Sequence, residues 1–126
     1  MVNMENFEYI NLNPMNLNES DCVCRAIALV SGRSYYDIQE KLELTAKLFE
    51  CDMLTVCCYK NLLNYVFGYE SIKIEEGITV REFAQQNPQG VYLIRMNGHI
   101  SVIWDSKILD TWYCGNREAT HCWKIN

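Results

Sequence analysis

The stretch Asp21–Val30, with the sequence DCVCRAIALV, is the part of the chain around which the fold is organised. It begins at the end of Asn18–Asp21, a segment rich in side chains that cap helix N-termini. From residue 22 onward its only charged side chain is Arg25. We therefore predict a helix from about Ser20 to Ser31, nearly surrounded by protein and ended by Gly32.

Cys22 stands where this helix begins. The unpaired N–H groups and the macrodipole of a helix N-terminus favour the thiolate form of a cysteine. Cys24 is the competing nucleophile, but side chains two residues apart on a helix point in nearly opposite directions, so only one sulfur can face a cleft. We assign Cys22 as the candidate nucleophile and Cys24 to the core. The alternative for Cys22 is an ordinary buried core cysteine.

The length of 126 residues predicts a single domain, and the mild acidic excess, a net charge of −5, argues against nonspecific binding to nucleic acid. No apolar run approaches the length of a membrane span, and the N-terminus lacks the features of a signal peptide. We expect a cytoplasmic protein with no nucleic-acid or membrane partner. The oligomeric state stays open.

Seven cysteines, an odd number without a secretory signal, are better interpreted as thiols than as a disulfide framework. Zinc is the alternative, since sulfur and imidazole ligands are available at Cys22-x-Cys24, at Cys57-Cys58, and at Cys114 with His121-Cys122. None of these groups has the paired C-x-x-C spacing of a structural zinc site. We therefore expect no metal and no cofactor, with most of the cysteines in the core.

Capping signals and apolar periodicity predict two further helices in the first half of the chain. One begins after Ser34, which forms a capping box with Asp37, and the other begins after Thr55 and stops before Gly68. The apolar stripe of the third helix consists of Val56, Tyr59, Leu62, Leu63 and Val66.

The second half is predicted to be mainly strands, with a short helix after the capping box Thr79-x-x-Glu82. The predicted strands cover residues 71–75, 91–95, 99–104, 107–113 and a last segment to residue 125, and residues 5–13 form an edge strand or an extended lead-in. Helices followed by strands predict an α+β domain with an antiparallel sheet. Residues 1–126 form one domain, with a helical half at about 18–68 and a β half at about 90–126.

His99 directly follows Asn97-Gly98, a strong signal for a hairpin turn. If Asp105-Ser106 is a two-residue turn, Ser101 faces Asp110 and His99 faces Trp112 across the next hairpin. Opposed residues share a face of a sheet, so the carboxylate of Asp110 can hold the His99 imidazole from a diagonal position. A three-residue turn would move Asp110 to the opposite face, so the pairing depends on this register.

Each of these residues also has a simpler interpretation. His99 can merely cap a hairpin, and Asp110 can be an ordinary edge-strand carboxylate. Trp112 either shelters the His–Asp pair from water or fills the core. His121 is the substitute histidine, although its place beside Cys122 and Trp123 favours packing or surface exposure. Asp105 is better explained as a turn former.

The order Cys22, His99, Asp110, with the cysteine on a leading helix and the other two on adjacent strands, resembles the papain-like cysteine peptidase superfamily. In particular it is similar to the bacteriocin-processing peptidases (the C39 type) and to small papain-like proteins of bacteria and their phages. Three short segments carry the resemblance: Asp21-Cys22, Gly98-His99 and Asp110-Thr111-Trp112. Asn16 stands where those peptidases have a glutamine, six residues before the cysteine.

The resemblance implies a papain-like fold and a role for each of these side chains. The Cys22 thiolate attacks a carbonyl carbon, with His99 as ion-pair partner and general acid–base. Asp110 orients the imidazole. The oxyanion hole consists of the Cys22 N–H and the Asn16 amide, whose side chain is one methylene shorter than glutamine. Asp21 is expected to cap the helix without a catalytic part, although its charge opposes thiolate formation unless the helix N–H groups absorb it.

These roles imply a cysteine-dependent hydrolase or acyl transferase that acts on a peptide or amide bond. A deamidase or a transglutaminase-like enzyme uses the same triad, and the sequence does not separate these activities. The alternative from another class is a catalytically inactive papain-like domain that binds a protein, for example as a phage inhibitor of host defence. The small size of the chain, with little length for substrate-binding loops, is consistent with this alternative.

Overall fold

The computed structural model describes residues 6–15, 21–53 and 55–125. Within these ranges the chain forms four α-helices, Cys22–Ser31 (α1), Tyr35–Phe49 (α2), Val56–Asn61 (α3) and Val80–Gln86 (α4), and a π-helical turn, Leu62–Val66. The six strands are Phe7–Tyr9 (β1), Glu70–Ile72 (β2), Val91–Met96 (β3), His99–Trp104 (β4), Lys107–Asp110 (β5) and Ala119–Lys124 (β6). None of the described helices is both long and apolar enough to cross a membrane. The predicted α+β class is confirmed.

Helix α1 ends as its sequence predicts. Gly32 has a positive φ of 71° and donates its N–H to the carbonyl of Ala28 at 3.1 Å, a geometry that glycine adopts without strain. The predicted start at Ser20 lies outside the described residues. Asp21 occupies the N-cap position, but its side chain makes no capping hydrogen bond. The prediction of Asp21 as the N-cap residue is therefore confirmed, but its carboxylate does not bond to the helix N–H groups.

The predicted N-caps Ser34 and Thr55 are confirmed, although the structure shows only the Ser34 half of the capping box with Asp37. Ser34 accepts the N–H of Asp37 at 3.1 Å, and Thr55 accepts the N–H of Cys58 at 3.4 Å. The third helix differs from the predicted one because it continues as a π-helical turn after Asn61. The wider turn rotates the apolar stripe, so Leu62 and Leu63 are fully buried whereas Val66 is 51% exposed.

The sheet has the strand order β1-β5-β4-β3-β6-β2. Strands β3 and β4 form the predicted hairpin at Asn97-Gly98, where Gly98 has a φ of 78°. All pairs are antiparallel except β1 with β5, which are parallel. The prediction of a purely antiparallel sheet is wrong at this edge. Most of the chain separates β1 from β5, so no short turn forces the two strands to run in opposite directions.

Apolar layers cover both faces of the sheet. On one face Leu93, Val102 and Trp123 pack with residues of α1, α2 and α3, such as Ile27 and Leu42. On the other face a smaller layer includes Tyr92, Ile94, Ile103 and Ile108 with Phe83 of α4. Because α1 packs along β4, its N-terminal residue lies beside the beginning of that strand.

Candidate active site

Cys22 and His99 meet because each is the first residue of its element. Cys22 is the first residue of α1, and His99 is the first residue of β4. The Cys22 thiol is partly exposed and lies close enough to the His99 side chain and to the Ile100 backbone for both to lower its pKa. The candidate nucleophile predicted from the sequence is therefore next to the histidine predicted as its base.

The register of the β4–β5 hairpin brings Asp110 to His99. The turn has two residues, Asp105 and Ser106, both with positive φ (47° and 72°), and it aligns Trp104 with Lys107. The predicted two-residue turn is thus confirmed. His99 Nε2 lies 2.6 Å from Asp110 Oδ2, and the two side chains are only 8% and 6% exposed.

Trp112 reaches His99 by a different route from the predicted one. Strand β5 ends at Asp110, so Trp112 lies in a bend and not opposite His99 in the strand. At the start of this bend Asp110 Oδ1 accepts the N–H of Thr111 at 2.7 Å. The indole ring nevertheless lies 4.7 Å from the imidazole ring, centroid to centroid, and shields one side of the His–Asp pair.

The surroundings of His99 stabilise its protonated form. Burial lowers the pKa of His99, but the hydrogen bonds and charges of Asp110 and Cys22 outweigh burial and raise this pKa to about 9. Burial raises the pKa of Asp110, while His99, Ser101 and the Thr111 N–H lower it, and the net pKa lies below the ordinary value. A protonated imidazole beside an ionised carboxylate is therefore the stable arrangement near neutral pH.

The same imidazole favours the thiolate of Cys22. Burial raises the pKa of Cys22, but the His99 hydrogen bond, the Ile100 N–H and the charges of His99 and Arg25 lower it below the ordinary value of 9.0. The N-terminal end of α1 acts in the same direction. Because His99 Nε2 is hydrogen-bonded to Asp110, Nδ1 is the ring nitrogen available to interact with the Cys22 sulfur.

Asp21 is neutralised by a buried network that the sequence did not predict in full. Its carboxylate forms an ion pair with Arg25 and accepts hydrogen bonds from Asn13 Nδ2 at 2.9 Å and from the Tyr35 hydroxyl at 2.7 Å. The i, i+4 spacing of Asp21 and Arg25 is a detectable signal for such a pair. The network removes the expected conflict between this carboxylate and a Cys22 thiolate.

A second buried thiol lies on the far side of Asp110. Cys114 Sγ is 3.8 Å from Asp110 Oδ2 and only 1% exposed. Burial and the charge of Asp110 raise the pKa of Cys114 to about 12, so this sulfur stays a thiol. Nothing in the sequence indicated this contact, because Cys114 lies in a loop whose path no periodic pattern predicts.

His99, Asp110 and Cys114 are close enough to be considered as metal ligands, since their ligand atoms lie within 4.8 Å of one another. The ligand atoms of a tetrahedral zinc site are about 3.3–3.8 Å apart, given metal–ligand bonds of about 2.0–2.3 Å. The 2.6 Å separation between His99 and Asp110 is shorter and corresponds to a shared proton. The donor set therefore suits a hydrogen-bonded dyad better than a zinc ion.

Of the remaining candidates, the two that the structure describes, Cys24 and His121, do not lie in this group. Asn16, the proposed oxyanion donor, lies outside the described residues. Cys24 is buried in the core, and burial together with the charge of Asp21 raises its pKa to about 11. His121 lies on β6, where its contacts are with Lys60, Thr120 and the Trp123 ring.

No family model, curated protein or solved structure matches this chain. The functional interpretation therefore depends on the chemistry of the Cys22, His99 and Asp110 side chains.

Proposed function

We propose that the protein is a cysteine-dependent hydrolase or acyl transferase that acts on an amide bond of a peptide, in a minimal papain-like domain. The observation that carries this proposal is the line of contacts from Asp110 to His99 to Cys22, with the sulfur at the N-terminus of a buried helix. Structural ion pairs also perturb pKa values. A cysteine with a lowered pKa next to a histidine with a raised pKa is, however, the arrangement that activates a thiol as a nucleophile.

The reaction follows from the protonation states of the two residues. The Cys22 thiolate attacks the carbonyl carbon and forms a C–S bond, while His99 gives its proton to the departing amine as the C–N bond breaks. A water molecule then gives a proton to His99 and attacks the thioester, which releases the acid and restores the thiolate. An amine in place of water gives acyl transfer, and ammonia as the first leaving group gives deamidation.

Oxyanion stabilisation in this scheme comes from backbone N–H groups at the start of α1, with the Asn16 amide as a second donor. The charge that develops on the carbonyl oxygen would then lie at the positive end of the helix. Asp110 holds the imidazole by Nε2, so Nδ1 is the atom that accepts the proton of the Cys22 thiol and donates it to the leaving group. Trp112 reduces the access of water to the His–Asp hydrogen bond.

Alkylation kinetics test the nucleophile directly. We expect iodoacetamide to modify Cys22 at about pH 6 at least tenfold faster than Cys57, which is an exposed thiol of the same chain and serves as internal reference. Peptide mapping by mass spectrometry separates the two sites. The His99→Ala variant should lose the excess rate, whereas Cys24→Ala, a matched change in the same helix, should keep it.

The assay also separates the proposed enzyme from its alternatives. Labelling of Cys22 no faster than Cys57 would contradict the enzyme and would favour a domain that only binds a protein. Metal analysis of the purified protein, followed by labelling after dialysis against a chelator, tests zinc. Stoichiometric zinc whose removal accelerates the labelling of Cys22 would replace the proposed triad with a metal site.

A further inference from the structure

A group of positively charged and titratable side chains lies on the same face of the sheet as α1, two strands away from the candidate nucleophile. Its members, which we name the cationic cluster, are Lys60 of α3, Arg95 of β3 and His121 of β6. In the sheet Arg95 is paired with Ile100 of β4 on one side and with His121 of β6 on the other. The cluster is therefore in line, across the strands, with Ile100, whose backbone is next to Cys22.

No carboxylate among the described residues forms an ion pair with the cluster. Arg95 uses its guanidinium on two hydroxyl groups, Tyr59 at 2.6 Å and Thr120 at 2.9 Å, and neither carries a negative charge. Lys60 Nζ lies 3.2 Å from His121 Nε2 and forms no ion pair with a described carboxylate. In a chain with a net charge of −5, positive groups gathered without an acid leave room for an anion from outside.

The hydrogen bonds of His121 define which of its ring nitrogens carries the proton. Lys60 can donate to Nε2 only if that nitrogen carries no proton, and Nδ1 then donates to Thr120 Oγ1 at 3.3 Å. Burial, together with the charges of Lys60 and Arg95, lowers the pKa of His121. These two cations are the charged groups that act on the ring from the elements packed against β6. A bound anion would screen them and allow the ring to take up a proton.

Tyr59 connects the cluster to Cys22. Its hydroxyl accepts the Arg95 Nε–H, and its ring packs edge-on against Trp123. Burial raises the pKa of Tyr59, Arg95 lowers it, and the charge of Cys22 adds to the increase. Two strand spacings, about 10 Å, separate Ile100 from His121. An extended peptide covers that distance in about three residues.

We propose that the cationic cluster binds a carboxylate of the peptide whose reacting carbonyl lies at Cys22. This inference rests on the proposed function and adds a substrate class to it. The substrate carries an acidic group about two or three residues from the reacting bond. That group is either an Asp or Glu side chain or the free carboxyl end of the peptide, and both offer the planar oxygen pair that a guanidinium recognises.

Binding can be measured whether or not the protein is an enzyme. The chain has only two histidines, so NMR of their ring signals resolves His121 and His99 separately. We would titrate the Cys22→Ser variant with acetyl-Gly-Gly-Glu-amide, with its Gln counterpart, and with acetyl-Gly-Gly-Gly that ends in a free carboxylate. The Glu peptide should shift the His121 signals and raise the pKa of the ring, and the Gln peptide should bind about fivefold to tenfold more weakly.

Variants assign the selectivity to the cluster. Arg95→Met and Lys60→Met should each remove most of the preference for Glu over Gln, and Arg95→Lys should restore part of it. Arg95 and Lys60 lie on different elements, so the same loss in both Met variants would not be explained by misfolding of one of them. A Gln peptide that binds as tightly as the Glu peptide, or binding that leaves His121 unshifted, would overturn the inference. Comparing the Glu side chain with the free carboxyl end shows which source of carboxylate the cluster prefers.

Protection of the wild-type thiol tests whether the cluster and Cys22 serve the same peptide. At equal concentration the Glu peptide should slow iodoacetamide modification of Cys22 more than the Gln peptide does. A shift of His121 without such protection would overturn the link between the two sites and leave the proposed function intact. Ordinary labelling of Cys22 together with charge-selective binding at His121 would support the carboxylate site and contradict the proposed enzyme alone.

Discussion

His99 Nε2 and Asp110 Oδ2 are 2.6 Å apart, although eleven positions of the chain separate the two residues. The contact exists because a two-residue turn aligns β4 with β5 and because both side chains lie on one face of the sheet. It occupies Nε2 of the imidazole and leaves Nδ1 available for Cys22. The geometry of the candidate site thus depends on the register of one hairpin.

We expect Asp110→Asn to lower the pKa of His99 from about 9 toward or below the ordinary 6.5. Asparagine can still accept the Nε2–H, but it carries no charge to offset the burial of the imidazolium. Cys22 then loses part of its ion-pair partner, and its iodoacetamide labelling at about pH 6 should slow by about tenfold or more. NMR titration of the His99 ring measures the first effect.

Asp37→Asn is the matched control for this experiment, since Asp37 lies on α2 and pairs only with side chains of that part of the surface, Arg33 and Lys41. It should leave the titration of His99 unchanged. An Asp110→Asn variant in which His99 still titrates near 9 would show that the carboxylate does not stabilise the imidazolium.

The sequence was sufficient to place His99 and Asp110 together because strand pairing follows simple rules. A turn of known length fixes which residues are opposed, and alternation then fixes the face on which each side chain lies. Similarly, a cysteine at a helix start and a histidine at a strand start are positions that local signals define. Their contact in space required only that the helix pack along that strand.

Other features depend on the path of irregular segments, and periodicity carries no information about those. The loop after β5 brings Cys114 to Asp110, and the segment before α1 brings Asn13 to Asp21. The parallel pairing of β1 was missed for a related reason. A strand of only three residues can pair with the edge strand of a sheet in either direction, and its sequence does not indicate which. These contacts are set by tertiary packing.

The His99–Asp110 pair should make the stability of the fold depend on pH. A raised His99 pKa contributes stability that is fully present below the ordinary pKa of 6.5 and is lost as the pH rises through about 9. The lowered Asp110 pKa contributes stability that is present above the ordinary 3.8 and is lost as the pH falls through the folded value. The stabilising window therefore lies between these two limits.

Urea unfolding of the wild type and of His99→Gln at several pH values checks this window. The wild type should be the more stable protein at about pH 5 to 6, and the difference between the two should shrink at about pH 9 and above. A difference that stays constant across this range would mean that the imidazole contributes through packing alone. Far-UV circular dichroism of both proteins at each pH ensures that the same fold is compared.

The Asp21–Arg25 pair should be important for both stability and reactivity. Arg25→Met leaves a buried carboxylate, only 7% exposed, without its cation, so we expect the free energy of unfolding to fall by about 3 kcal/mol. Two neutral donors, Asn13 and Tyr35, remain on Asp21, which keeps the loss at the lower end of the usual range. The pKa of Cys22 should rise, because Arg25 helps to lower it.

Arg33→Met is the matched variant for the Asp21–Arg25 experiment. Arg33 also pairs with an acid four residues away, Asp37 at 3.2 Å, but its side chain is 49% exposed. An exposed pair of this kind contributes about 0.5 kcal/mol or less. Equal losses in Arg25→Met and Arg33→Met would argue against a buried pair, and an unchanged pH dependence of Cys22 labelling in Arg25→Met would argue against its influence on the thiol.

Trp123 should dominate the stability of the helix-covered core. It is fully buried, packs edge-on against Tyr59 with ring centroids 6.2 Å apart, and donates its indole N–H to Asn64 at 2.8 Å. We expect Trp123→Ala to lower the free energy of unfolding by about 3–5 kcal/mol. Trp104, at 40% exposure, provides the control, since its replacement by alanine should cost less than about 1 kcal/mol.

Trp123→Phe separates packing from hydrogen bonding at this position. Phenylalanine keeps an aromatic ring against Tyr59 but leaves Asn64 without its donor, so the loss should lie between the wild type and Trp123→Ala, at about 1–3 kcal/mol. Urea unfolding monitored by circular dichroism gives all three values on one scale. An equal loss of unfolding free energy in Trp104→Ala and Trp123→Ala would contradict the prediction that Trp123 dominates the core beneath α3.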